Sequence, residues 1–236
     1  YLYEKIYQRE PDKTERKLTE KFIEQQSVVA LRTNKVAWQY GYGGVNEKTK
    51  RVTEFHLLIH FTKGRWQHSE EFPDPTTGYT MLDIEGGHPG NREHQTVIRR
   101  WISPFDGTIS IEGSLQHLTD KGDGVRSRVI SSRSGIARSW TALGNTVKTD
   151  VEKIEVRRGD TIDFVTDPRG GLAHDTFKWE TTIKVVEVKY GSPPPMQTSW
   201  NTRRDYDGPA KDTRSLTAWE KYAQALLLSN EFMFVD

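Results

Sequence analysis

The segment Val97–Ser131, VIRRWISPFDGTISIEGSLQHLTDKGDGVRSRVIS, decides how this chain is read. It divides into three extended pieces. Pro104-Phe105-Asp106-Gly107 places a Pro and a Gly between the first two, and such residues punctuate strands. Beyond that turn Ile109, Ile111 and Leu115 share one parity, while Ser110, Glu112 and Ser114 take the other. A period of two is the mark of a strand with one buried face. Lys121-Gly122-Asp123-Gly124 then reverses the chain, and Val125, Ser127 and Val129 alternate with Arg126 and Arg128. The expected result is antiparallel sheet, dry on one side and wet on the other.

The same pattern continues on both sides. Trp38 to Gly44 is aromatic and glycine-rich, and Phe55 to Phe61 reads as a strand. Thr62 to Gly90 reads as one long loop, a feature more often functional than incidental. Val151 to Val156, Ile162 with Phe164, and the alternation of Phe177, Trp179, Thr181 and Ile183 supply further strands. Six to nine short strands at this spacing predict a mainly β fold, a jelly-roll-like antiparallel β-sandwich with short α-helices at both chain ends. Pro11, Asp12 and Glu15 signal a helix start near the beginning. Near the end, Trp219, Tyr222, Ala223, Leu226 and Leu227 fall on a helical stripe, with Thr217 as the expected N-cap. The expected division is 1–26, a helical segment belonging to a surrounding domain; 27–191, the sandwich; and 192–236, a linker and a C-terminal helix packing on the N-terminal helices.

Composition narrows the function classes. The 236 residues are 34% hydrophobic and 11% aromatic, and 34 basic residues face 33 acidic ones for a net charge of +1. That balance predicts no general attraction to nucleic acid or acidic membranes. No apolar run approaches the roughly 18 residues of a membrane-spanning helix, so no membrane span is expected. Without cysteine the chain cannot form a disulfide, a thiolate metal site or a covalent haem attachment. It begins at Tyr1 with neither Met nor signal peptide, already in a helical pattern, and reads as a piece of something longer.

Catalytic signatures are missing. The histidines, among them His56, His60, His88 and His94, show no HExxH or zinc-like spacing. Ser131-Ser132-Arg133-Ser134-Gly135 is not a nucleophile elbow. Aspartates gather near turns, and a calcium ion needs only oxygen ligands, so Asp123 and Asp175 stand as weak metal candidates. A glycan-acting hydrolase would need two carboxylates converging in a cleft. The remaining signal is aromatic: seven Trp and nine Tyr in a loop-rich β protein. Their rings stack on the apolar faces of sugars while polar neighbours bond the hydroxyls. Tyr42, Trp66, His68, Tyr79, His88 and Trp140, read as loop residues, are the candidate ligand-binding set. Trp38, Trp101 and Trp179 read as core.

WQYGYGG, FTKGRWQ, PDP (73–75), GGHPG, VIRRWISPFDGTISIEGSLQH, GDGVRSRVISSRSG, RRGDTIDFV, DTFKWETTI and WEKYAQALLLSNEFMFVD occur in this order. Together they resemble the C-terminal region of planctomycete-type proteins that join a cytochrome c-like domain to two domains of unknown function. The resemblance implies a periplasmic or extracellular protein connected with polysaccharide breakdown, and a sandwich similar to a carbohydrate-binding module. It supplies no catalytic residue. The haem-binding CxxCH of such proteins is absent here, so haem would belong to another part of the parent. The expectation is therefore a non-catalytic module for polysaccharide or oligosaccharide, in contact with other domains of its parent. It carries no cofactor of its own unless calcium binds. An architectural or protein-interaction insertion and a glycan hydrolase are the alternatives.

Overall fold

The computed structural model describes residues 2–32, 37–90, 92, 95–171, 173–209 and 218–227. The chain falls into two units, one formed by Tyr1–Lys35 with Ala210–Asp236 and the other by Val36–Pro209.

The first unit is helical, with α1 (Leu2–Tyr7), α2 (Lys13–Arg32) and α3 (Ala218–Leu227). Asp12 caps α2. Its carboxylate accepts the Glu15 amide at 2.8 Å, and Glu15 accepts the Asp12 amide at 2.7 Å, a reciprocal capping box that satisfies two otherwise orphaned donors. The Tyr7 hydroxyl donates to the Leu226 carbonyl at 2.7 Å, Thr19 and Tyr222 share a hydroxyl bond, and Phe22 meets Tyr222 at 6.0 Å between ring centroids. Thr217 lies outside the described residues.

The second unit is a β-sandwich. Its strands are β1 (Trp38–Asn46), β2 (Arg51–Leu57), β3 (His60–Thr62), β4 (Arg65–Gln67), β5 (Met81–Asp83), β6 (Gly86–His88), β7 (Thr96–Ile102), β8 (Gly107–His117), β9 (Val125–Ser131), β10 (Gly135–Ala142), β11 (Thr146–Lys148), β12 (Val151–Val156), β13 (Thr161–Asp167), β14 (Phe177–Val188) and β15 (Ser199–Asn201). One sheet runs β10-β9-β13-β7-β1-β2. The other runs β11-β8-β14-β6-β5-β4-β3, with β12 on β8 and β15 on β14. Every described pairing is antiparallel. The fold is mainly β, a jelly-roll-like antiparallel sandwich.

The core lies between the sheets. Trp38, Val97, Trp101, Val129, Ile162 and Phe164 from the first meet Ile109, Ile111, Leu115, Phe177, Trp179 and Ile183 from the second. These are the inward positions of the period-two pattern; the other parity is polar along most strands but carries Ile98, Ile130 and Val165 on β7, β9 and β13. The unit does not stop at 191. Trp200 of β15 is buried against Trp101, with centroids 5.0 Å apart, and stacks on Phe105.

Thr62–Gly90 is not one loop: three short strands interrupt it. Each spans only three residues, too few to display a period. Arg99 of β7 pins this region from beneath. Its guanidinium is buried and donates to the carbonyls of Thr202 (3.1 Å), Gly86 (2.9 Å) and Asp83.

β1 explains its own composition. Trp38, Tyr40 and Tyr42 point inward, whereas Gly41 and Gly43 face the folded-over β2. A Cβ on Gly43 would sit 1.8 Å from the Glu54 carbonyl oxygen. The hairpin closes on the outer face of its sheet, covering a second small core of Ile98, Ile130 and Val165 with Val45, Val52 and Phe55. Arg51 ties the tip down through the carbonyls of Ser132 and Arg133.

Candidate functional site

The polar loop Ser69–Thr80 between β4 and β5 is built around one carboxylate. Asp74 is buried and accepts the Thr76 and Thr77 amides at 2.8 and 2.7 Å and the Ser69 hydroxyl at 2.5 Å. Its backbone bonds reciprocally with that of Gly78 at 2.8 Å. Burial pushes the carboxyl upward, but the Ser69 hydroxyl, the two amides and nearby His68 together hold it at about 2. Such local bonding from Asp to the next amides freezes a turn. The Gln95 side chain adds a bond to the Thr76 carbonyl at 2.8 Å.

Two ring groups border this loop. In the first, Tyr79 stands 47% exposed at the loop's end, with Phe72 edge-on at 5.6 Å and His88 at 5.5 Å. The Arg65 guanidinium covers the Phe72 ring at 3.8 Å. In the second, Tyr42 of β1 meets His56 at 5.3 Å and His68 at 5.6 Å. Burial, then the Asp74 charge, raises the pKa of the Tyr42 hydroxyl. His88 Nδ1 bonds the Pro89 carbonyl at 2.6 Å, which places the proton on Nδ1 and leaves Nε2 as an acceptor. Burial lowers its pKa, with the Pro89 bond opposing.

The six candidate ligand-binding residues are therefore divided. Tyr42, His68, Tyr79 and His88 gather around the loop. Trp66 lies on β4 and packs inward, stacked with Tyr40 at 5.9 Å, tilted to Phe61 at 5.0 Å, and donating from Nε1 to the Asp207 carbonyl at 2.9 Å. Trp140 lies on β10, away from this group, against Trp179 at 6.4 Å. Tyr42 and His88 also sit on strands, β1 and β6, so only His68 and Tyr79 occupy a loop. Strand and loop aromatics look alike where a strand is short or glycine-rich. Phe72 and His56 complete the surface over the buried Asp74, and none of the three belongs to the candidate ligand-binding set. The signal for Asp74 was an Asp followed by Pro-Thr-Thr-Gly, an Asx-turn sequence.

The segments that carry the two metal candidates lie side by side. Asp123, in the β8–β9 turn, accepts the Gly170 and Gly171 amides at 2.9 and 3.0 Å through Oδ2. Asp175, in the β13–β14 loop, is 1% exposed. Burial, then the Asp123 charge, pushes its carboxyl up to about 7. A glycosidase acid must touch its substrate, and a carboxyl this enclosed does not reach one. His94 lies outside the described residues.

No protein-family model matches the chain, and no curated protein matches it. Solved structures to which it is weakly similar include the following two. The crystal structure of rabbit GITRL is 14% identical over 39% of this chain and 74% of its own, with a TM-score of 0.30. The GH26-CBM35 β-(1,4)-mannanase of Podospora anserina is 11% identical over 56% of this chain and 27% of its own, with a TM-score of 0.29. The chain thus spans about a quarter of the mannanase's length. Among the described residues no helix is long and apolar enough to cross a membrane.

Proposed function

We propose that the sandwich is a non-catalytic glycan-binding module whose contact surface is the loop Ser69–Thr80 and its bordering rings. One observation carries this reading: Tyr79 stands half-exposed on a loop already fixed by Asp74, between Phe72 and His88. A ring held in place before the ligand arrives loses little entropy on binding. Tyr79 stacks on the apolar face of a pyranose. His88 Nε2 accepts from one hydroxyl, and Tyr42, His68 and the exposed His56 supply further polar contacts. For a shallow wet surface of this kind the affinity is about 10⁻³ to 10⁻⁵ M. In the setting implied by the sequence resemblance, the module serves a larger exported protein, and any haem chemistry belongs to that protein's other domains.

The test is retention of the chain on immobilised polysaccharides, repeated with Tyr79→Ala. Tyr79 is in no buried cluster, so its loss removes retention and leaves the melting temperature in place.

A second reading, an architectural insertion, is favoured by Trp66, whose ring is spent on internal packing with Tyr40 and Phe61. It is supported if the wild-type chain is retained by no polysaccharide.

A further inference from the structure

We propose that Asp123 and Asp175 hold a calcium ion between the β8–β9 turn and the β13–β14 loop. The two segments are already laced together. Arg169 Nη1 donates to the Asp123 carbonyl at 2.5 Å, Gly170 and Gly171 donate to Asp123 Oδ2, and a Cβ on Gly122 would meet the Ala173 carbonyl oxygen at 2.7 Å. Gly171 also lets the carboxylate approach, since a Cβ there would lie 2.6 Å from Asp123 Oδ1.

What this lacing leaves over points to a cation. Asp175 Oδ1 and Oδ2 and Asp123 Oδ1 are all buried without a hydrogen-bond partner. Buried carboxylates ordinarily have a partner, because an unpaired one costs several kcal/mol in lost hydration. Asp175 is such a group on both oxygens and Asp123 on one, and the Asp123 charge is felt at Asp175. The Gly170 and Gly171 amides, ahead of the Arg169 charge, hold the Asp123 carboxyl below its usual range, but among the described residues no neighbour bonds the Asp175 carboxyl. The Arg169 donor goes to a main-chain carbonyl. His117 accepts the Gly144 amide on Nδ1 at 3.1 Å, so its Nε2 proton goes to the His174 carbonyl at 2.6 Å.

The donor set selects the ion. The unpartnered atoms of Asp123 and Asp175 are all carboxylate oxygens, and the chain has no thiolate to set beside them, which favours a hard cation over zinc and its relatives. Two carboxylates balance one divalent charge. Calcium tolerates irregular mixtures of carboxylate, main-chain carbonyl and water, whereas magnesium requires a near-ideal octahedron. The ion would sit just before Phe177, which pairs with Gly87 beside His88, yet the proposal does not depend on glycan binding.

The test uses the full chain stripped with EDTA and titrated with CaCl2, followed by calorimetry and thermal melting, with MgCl2 in parallel. The expected result is one calcium per chain and a rise in melting temperature of several degrees at millimolar calcium, with a smaller rise or none for magnesium. Asp175→Asn and Asp123→Asn each abolish both signals. Asp175→Asn replaces a buried charge by an amide of the same shape, so it folds without calcium. Absence of saturable calcium binding in the wild type overturns the proposal, as does an unchanged calcium response in both variants.

Discussion

The rings of Trp101 and Trp200 meet at 5.0 Å between centroids, inclined at 61°, inside the sandwich. Trp101 comes from β7 in one sheet and Trp200 from β15 at the edge of the other, beyond the proline run 193–195. The backbone agrees: Thr182, Ile183 and Lys184 of β14 pair with Asn201, Trp200 and Ser199. The segment after that run is part of the core. Trp200→Ala is expected to cost about 3–5 kcal/mol, as other large aromatic deletions do. Chemical denaturation measures it, and a loss below about 1 kcal/mol would place the segment outside the core.

Gly43→Ala tests the hairpin. The new Cβ would meet the Glu54 carbonyl oxygen at 1.8 Å, and the strands must separate to admit it. A loss of about 1–3 kcal/mol is expected, the usual range for forced overpacking. The β2 amides should lose hydrogen-exchange protection before those of β8.

Acid should loosen the loop before the sheets. Despite burial, Asp74 is held at about 2 by Ser69, the Thr77 and Thr76 amides and His68. Its folded pKa lies below its unfolded value of about 3.9. Its contribution is therefore present above about pH 4 and lost as the pH falls towards 2. Asp74→Asn should abolish this acid-dependent part of the melting curve, and hydrogen exchange should localise it to residues 69–80.

Trp66→Ala separates the two uses of aromatic residues. The ring is partly buried against Tyr40 and Phe61 and bonded to the Asp207 carbonyl. Its removal should cost about 3 kcal/mol, at the low end for Trp deletions. At temperatures where the variant remains folded, glycan retention should persist.

The sandwich was readable wherever a strand was long enough to show its period. β8 and β14 each carry several inward hydrophobic positions, and parity alone gives their faces. β3 to β6 are three residues each and merge into the surrounding polar sequence, so Trp66 and His88 read as loop residues. Trp200 was hidden by the prolines before it, which signal a linker when pairing partners are unknown. The ring surface was half legible. Tyr79 and His68 followed from loop context, but their grouping with Phe72 and His56 arises from tertiary folding around Asp74. The Asp123–Asp175 proximity joins two turns through sheet topology, and no local pattern announces it.

The central claim rests on Tyr79. The decisive measurement is retention of the wild-type chain and of Tyr79→Ala on a panel of plant and algal polysaccharides, with melting temperatures recorded for both. Selective retention by the wild type, lost in a Tyr79→Ala variant that melts at the same temperature, is the expected result. Retention unaffected by Tyr79→Ala, or no retention of the wild type on any polysaccharide, would contradict it.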